Sequence, residues 1–129
     1  MRYLAIDYGA KRIGLALSDE EGKLAFPKCI LENGPKILER VAEILEENSV
    51  RGIVLGESVN AEGKPNTIMK EIKIFSEKLE KKFSLPVHFQ KEFFTTVEAR
   101  RYGKEGERAD AKAAALILQR YLDKINRKA

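Results

Sequence analysis

The hydrophobic period of this chain changes once, and that change limits the folds open to it. Up to residue 31 the apolar residues fall in short runs at strand spacing, with turn-forming residues between them. Residues 2–7 hold the run Tyr3-Leu4-Ala5-Ile6 and end on Asp7. Tyr8-Gly9-Ala10-Lys11 reads as a turn, and over 12–18 Ile13, Leu15 and Leu17 alternate with Gly14 and Ala16. After the turn Asp19-Glu20-Glu21-Gly22, residues 23–31 form a third strand, which Pro27 confines to a sheet edge or a bulge. Three strands joined by short turns make an antiparallel meander.

The period then becomes helical, interrupted by single strands. Ile37, Leu38, Val41, Ile44 and Leu45 predict a helix over 35–48, and Ile68, Ile72, Phe75 and Leu79 predict a second over 67–83. Between them Gly52-Ile53-Val54-Leu55-Gly56 reads as a short buried strand, followed by a polar loop over 57–66. Residues 86–90 are a fifth strand. Thr95 and Glu98 have the capping-box spacing of a helix start, and 103–108 is a charged, Gly-bearing break. Ala111, Ala114, Ala115, Leu118, Leu122 and Ile125 form one stripe of a last helix over 110–125. The order βββαβαβαα predicts one α/β domain over 1–129, a five-stranded mixed sheet of meander plus parallel strands covered by helices.

Composition removes several functions. One Cys and one His exclude a disulfide framework and a Cys- or His-rich zinc site. No apolar run is long enough to cross a membrane, and the start lacks the form of a signal peptide, so the expectation is a cytoplasmic protein without a membrane partner. Basic residues exceed acidic ones by 24 to 20, a net charge of +4. The excess gathers from residue 100 onward, where nine basic residues face four acids. A basic end on a near-neutral body fits a polyanionic partner such as nucleic acid. It also fits a solvated helix end that complements the helix dipole.

Three acids have places compatible with one site at the carboxyl ends of the parallel strands. Asp7 ends the first strand, Glu92 follows the fifth, and Asp110 opens the last helix. A carboxylate directly after Leu-Ala-Ile costs desolvation unless it has a partner, whereas Asp110 also reads simply as a helix cap. Carboxylates without His or Cys make a hard oxygen site, suited to Mg²⁺ or Mn²⁺. A pair of such ions activates water and stabilises the leaving oxygen of a phosphodiester. Lys11 and Arg12, in the turn after Asp7, stand where a phosphate could be gripped, and Lys64 is a weaker candidate of the same kind. His88 lies between apolar neighbours and reads as a structural or edge residue, and Cys29 reads as packing. Gly9 and Gly14 are not spaced as a dinucleotide fingerprint.

Ala5-Ile6-Asp7-Tyr8-Gly9-Ala10-Lys11-Arg12-Ile13-Gly14-Leu15-Ala16 resembles the opening of the YqgF/RuvX family, roughly D-x-G-x-K-R-I-G. Three further blocks agree in order: Val54 to Gly63, Glu92 to Ala99, and Asp110 to Leu122. The resemblance implies an RNase H-like fold related to RuvC resolvases, with Asp7, Glu92 and Asp110 as metal-binding catalytic acids. It implies a metal-dependent nuclease on structured nucleic acid, a pre-rRNA or a branched DNA, and most often one that trims the 5′ end of pre-16S ribosomal RNA. In that role Lys11, Arg12, Lys64, Arg100 and Arg101 would grip phosphates, with the protein a monomer or a homodimer. There are departures. The family's D-E-R reads Lys91-Glu92-Phe93, which loses a bidentate phosphate donor, and its Leu-Pro reads Glu57-Ser58, which adds a carboxylate.

Three other readings compete. One is a DNA endonuclease like the Holliday junction resolvases, and another is a nucleic-acid-binding module whose site has decayed at Lys91 and Phe93. Sugar kinases and actin-like ATPases also open on a strand, Asp, Gly and a hairpin. They need two such domains, and this length supplies one.

Overall fold

The computed structural model describes residues 1–94 and 110–127. Five strands, β1 (Tyr3–Tyr8), β2 (Arg12–Ser18), β3 (Ala25–Glu32), β4 (Gly52–Asn60) and β5 (Val87–Phe94), form one sheet in the order β3-β2-β1-β4-β5. Helices α1 (Ile37–Glu47), α2 (Met69–Phe83) and α3 (Ala111–Asn126) cover it. β1, β2 and β3 pair antiparallel as the expected meander, while β1–β4 and β4–β5 are parallel. The mixed sheet is therefore the one expected. The helix expected from Thr95 and the break over 103–108 lie outside the described residues.

Strand alternation sorts the core onto two faces. Leu4, Ile6, Ile13, Leu15, Ile53 and Leu55 face α1 and α2 and pack with Ile37, Val41, Ile44, Ile72, Phe75 and Leu79. The other face is smaller: Ala5, Ala16 and Val54 meet Ala114, Ile117, Leu118, Tyr121 and Leu122 of α3. Each fully buried Leu or Ile contributes about 1.5–3 kcal/mol of apolar transfer, so the first face carries most of the stability.

Two boundaries differ from the sequence reading in a way that bears on the site. β4 does not close at Gly56 but runs on to Asn60, and β5 continues to Phe94. The extra residues pair in register, Glu57 with Lys91, Ser58 with Glu92 and Asn60 with Phe94. Polar residues hold the extended backbone here because the ladder satisfies their N–H and C=O groups, and hydrophobic period is blind to that. Glu92 is thus within a strand rather than just past one. Pro27 behaves as expected on both counts, since β3 is an edge strand and its pairing with β2 skips Lys28. α1 and α2 begin two residues later than the periodicity suggests, at Ile37 and Met69.

Candidate active site

The first functional side chain is placed by the pleat. Tyr3, Ala5 and Asp7 share the α3 face of β1, and Asp7 is buried, with 4% of its surface exposed. Its antiparallel partner is Gly14. Because Gly14 has no side chain, the start of α3 lies directly on its backbone: a Cβ there would stand 2.0 Å from the Asp110 carbonyl oxygen. The Asp110 N–H donates to Asp7 Oδ2 at 3.2 Å. Asp110 itself caps α3, its Oδ1 accepting from the Ala113 N–H at 2.6 Å. The positive end of the helix dipole and a backbone N–H thus both face the Asp7 carboxylate.

Glu92 approaches from the other parallel strand. His88, Gln90 and Glu92 share the α3 face of β5, and Glu92 is 6% exposed. Its carboxylate reaches back over β4, where a second glycine leaves room. A Cβ on Gly56 would lie 3.4 Å from Glu92 Oε2 and 2.8 Å from Ile117 Cδ1. Gly56, taken from sequence as the end of a strand, is instead a point where a helix and a carboxylate close on bare backbone.

The structure therefore brings Asp7 and Asp110 into direct contact and sets Glu92 on the same face of the sheet. It does not gather the three carboxylates around one point. Among the described residues no group of three His, Cys, Asp or Glu side chains is assembled to hold a metal ion. One Asp110 carboxylate oxygen is turned into its own helix by the capping bond.

Glu57 takes no part in this group. It is one residue from Gly56, so alternation sets it on the opposite face of β4. Lys91, its register partner, is on that opposite face too and is exposed, so the departure from the family pattern at this position lies away from Glu92.

The candidate phosphate-gripping cations sit at the same edge of the sheet. Lys11 and Arg12 are exposed at the carboxyl end of β1. Asn33, which the sequence reading overlooked, fixes their turn: its backbone N–H donates to the Lys11 carbonyl at 2.9 Å and its Nδ2 to the Gly9 carbonyl at 2.8 Å. A turn-forming Asn ahead of Gly34 was the signal available for it. Lys64 is exposed in the tight turn after β4, where Asn60 Oδ1 accepts from the Glu62 and Lys64 N–H groups and Gly63 has φ +82°. Arg100 and Arg101 lie outside the described residues.

His88 stacks on Tyr121 with ring centroids 5.4 Å apart, and Tyr121 in turn meets Tyr3 edge-on, so His88 is part of an aromatic layer. Cys29 is half-buried in β3, and burial pushes its thiol pKa up, which suits an unreactive packing role.

Comparison with known proteins agrees with this fold. Residues 1–124 match the RuvX family model, described as a Holliday junction resolvase. A protein of Dictyoglomus turgidum named as a pre-16S rRNA nuclease is 38% identical over 136 aligned positions, covering 98% of this chain and 96% of its own. One of Koribacter versatilis with the same name is 37% identical, covering 95% of this chain and 87% of its own. Thermus thermophilus RuvC, solved in complex with a Holliday junction substrate, superposes with a TM-score of 0.55 at 14% identity over 97% of this chain and 96% of that one, which is a likeness of fold. With the family match spanning nearly its whole length, the chain belongs to the RuvX family.

Proposed function

We propose that this protein is a divalent-metal-dependent nuclease that processes the 5′ end of pre-16S ribosomal RNA, with Asp7, Glu92 and Asp110 as its catalytic acids. The observation that carries the reading is the burial of Asp7 and Glu92 on one face at the carboxyl ends of parallel strands, with the start of α3 bound to Asp7. Membership of the RuvX family and the names of its relatives support the choice of substrate.

The donor set suits Mg²⁺ or Mn²⁺. It is all oxygen, and its two strand carboxylates, Asp7 and Glu92, are buried on one face of the sheet. Asp7 and Glu92 would hold the cation, joined by the Asp110 oxygen not engaged in capping. When bound, the cation supplies Lewis-acid activation of water and of the phosphodiester. The chain's own residues do the rest. The Asp110 N–H orients the Asp7 carboxylate through its bond to Oδ2. Lys11, Arg12 and Lys64 bind phosphates at the end of the sheet that carries the carboxylates, with Arg100 and Arg101 as further contacts from the basic segment.

The test is cleavage of a structured precursor rRNA and of a four-way DNA junction, with Mg²⁺ or Mn²⁺, by wild type and Asp7→Asn. The reading expects metal-dependent cleavage of the RNA that is lost in the variant while folding and nucleic-acid binding persist. Cleavage of the junction alone would move the assignment to a resolvase-like DNA endonuclease. Salt-sensitive binding without any cleavage would make the protein a binding module.

A further inference from the structure

Gln90 has no role in the reading above, yet it occupies a telling position. It is on β5 two residues before Glu92, on the same face, and its register partner is Gly56. Its Oε1 is buried and has no hydrogen-bond partner among the described residues, where no other side-chain nitrogen or oxygen is in that state. A buried carbonyl oxygen without a donor is destabilising, because it leaves water and gains nothing in return. An apolar side chain of the same length would fit this strand at lower cost. Gly56, across the ladder from Gln90, is also the residue whose backbone Glu92 Oε2 approaches.

We infer that Gln90 is a positioning residue for the cation of the proposed nuclease, a step that rests on the metal-site reading above. A hard divalent cation of the Mg²⁺ type keeps several of its waters, and those waters carry more hydrogens than the carboxylates can accept. Gln90 Oε1 accepts from one of them. As a neutral acceptor it orients the hydrated ion toward Asp7 and Glu92 without adding charge. Such outer hydrogen bonds typically change metal affinity by about 10–100-fold when removed.

The experiment uses the full chain, with Gln90→Met and Gln90→Leu as variants and Mn²⁺ as probe. Binding is read by electron paramagnetic resonance titration, and thermal melting is followed with and without metal. The expected result has two parts. Without metal both variants melt at or above the wild-type temperature, and with metal their Mn²⁺ dissociation constant is about tenfold weaker. The Mn²⁺ concentration for half-maximal cleavage should rise in parallel, with kcat at saturating metal close to wild type. Wild-type Mn²⁺ affinity in both variants would overturn the role of Gln90 and leave the metal-site reading standing. A lower melting temperature without metal would also overturn it, since the oxygen would then have a partner in the fold. A wild-type protein that binds no Mn²⁺ would refute the metal site itself, and the role of Gln90 with it.

Discussion

Replacing Gly14 by Ala tests how the site is assembled. The added Cβ would stand 2.0 Å from the Asp110 carbonyl oxygen, 2.2 Å from its carbonyl carbon and 2.8 Å from its Cα. Side-chain carbons essentially never come within 3.0 Å of such atoms, and here the neighbour is backbone, which cannot rotate away. The start of α3 must therefore retreat from β2 by about 1 Å or more, a displacement set by that steric limit. That retreat strains the Asp110 N–H to Asp7 Oδ2 bond, already 3.2 Å long, and loosens Ala114, Ile117 and Leu118 against Ala5, Ala16 and Val54. Overpacking costs about 1–3 kcal/mol, and losing a hydrogen bond to a carboxylate adds about 1.5–3 kcal/mol. Both follow from one displacement, so they do not simply add, and a total of about 3–4 kcal/mol is expected. For a chain of this length that lowers Tm by about 10–20 °C. The assay is urea and thermal unfolding followed by far-ultraviolet circular dichroism. Gly34→Ala is the control, because nothing lies within 4 Å of a Cβ at that position. A Gly14→Ala protein as stable as wild type would refute the placement of α3 on β2.

Other outcomes follow from the same geometry. Asp110→Asn keeps an oxygen for the Ala113 N–H and should preserve stability while cleavage falls, whereas Asp110→Ala should lose cleavage and also about 1 kcal/mol of stability, both read from melting and a cleavage assay. Asn33→Ala removes the bond to the Gly9 carbonyl and should lower stability by about 0.5–1.5 kcal/mol. It acts through the turn carrying Lys11 and Arg12, so fluorescence titration should show weaker nucleic-acid binding while Mn²⁺ affinity stays unchanged. Asp19 has its pKa held below its ordinary 3.8 by the backbone N–H of Lys23 and then of Leu24, both donating to Oδ1. A depressed carboxylate stabilises the fold above its unfolded value and loses that effect as pH falls through the lower folded value. Asp19→Ala should therefore flatten the dependence of Tm on pH below about 4, the region set by the ordinary carboxylate value.

The sheet and its helices were legible because their amphipathic faces repeat at strand or helix spacing over many residues. The tails of β4 and β5 were not, since Glu57, Ser58, Lys91 and Glu92 form strand through ladder pairing rather than through hydrophobic alternation. Among the site residues, Asp7 could be found without its partners, because a carboxylate closing the run Leu4-Ala5-Ile6 needs an explanation that a surface acid does not. Asp110 was visible as a cap, but its bond to Asp7 joins residues 103 apart in sequence. Asn33 and Gln90 gave no signal beyond a turn residue and a polar residue in a strand. Their roles depend on what faces them across the fold, and local sequence does not carry that information.

The two faces of the sheet explain why the chemistry sits where it does. Toward α1 and α2 the central strands present Leu4, Ile6, Ile13, Leu15, Ile53 and Leu55, a thick layer that keeps both helices away from the backbone. Toward α3 they present Ala5, Gly14, Ala16, Val54 and Gly56, and that layer is thin enough for a helix to touch bare strand. A helix N-terminus can reach a strand carboxylate only on the thin side. The direct bond from the Asp110 N–H to Asp7 is thus a consequence of small side chains as much as of the acids themselves. The same thinness lets Ile117 and Glu92 Oε2 close on the bare backbone of Gly56. The large face can tolerate the site because it supplies most of the buried apolar surface. The small face contributes less to stability, and in exchange it brings a helix N–H donor within reach of a buried strand carboxylate.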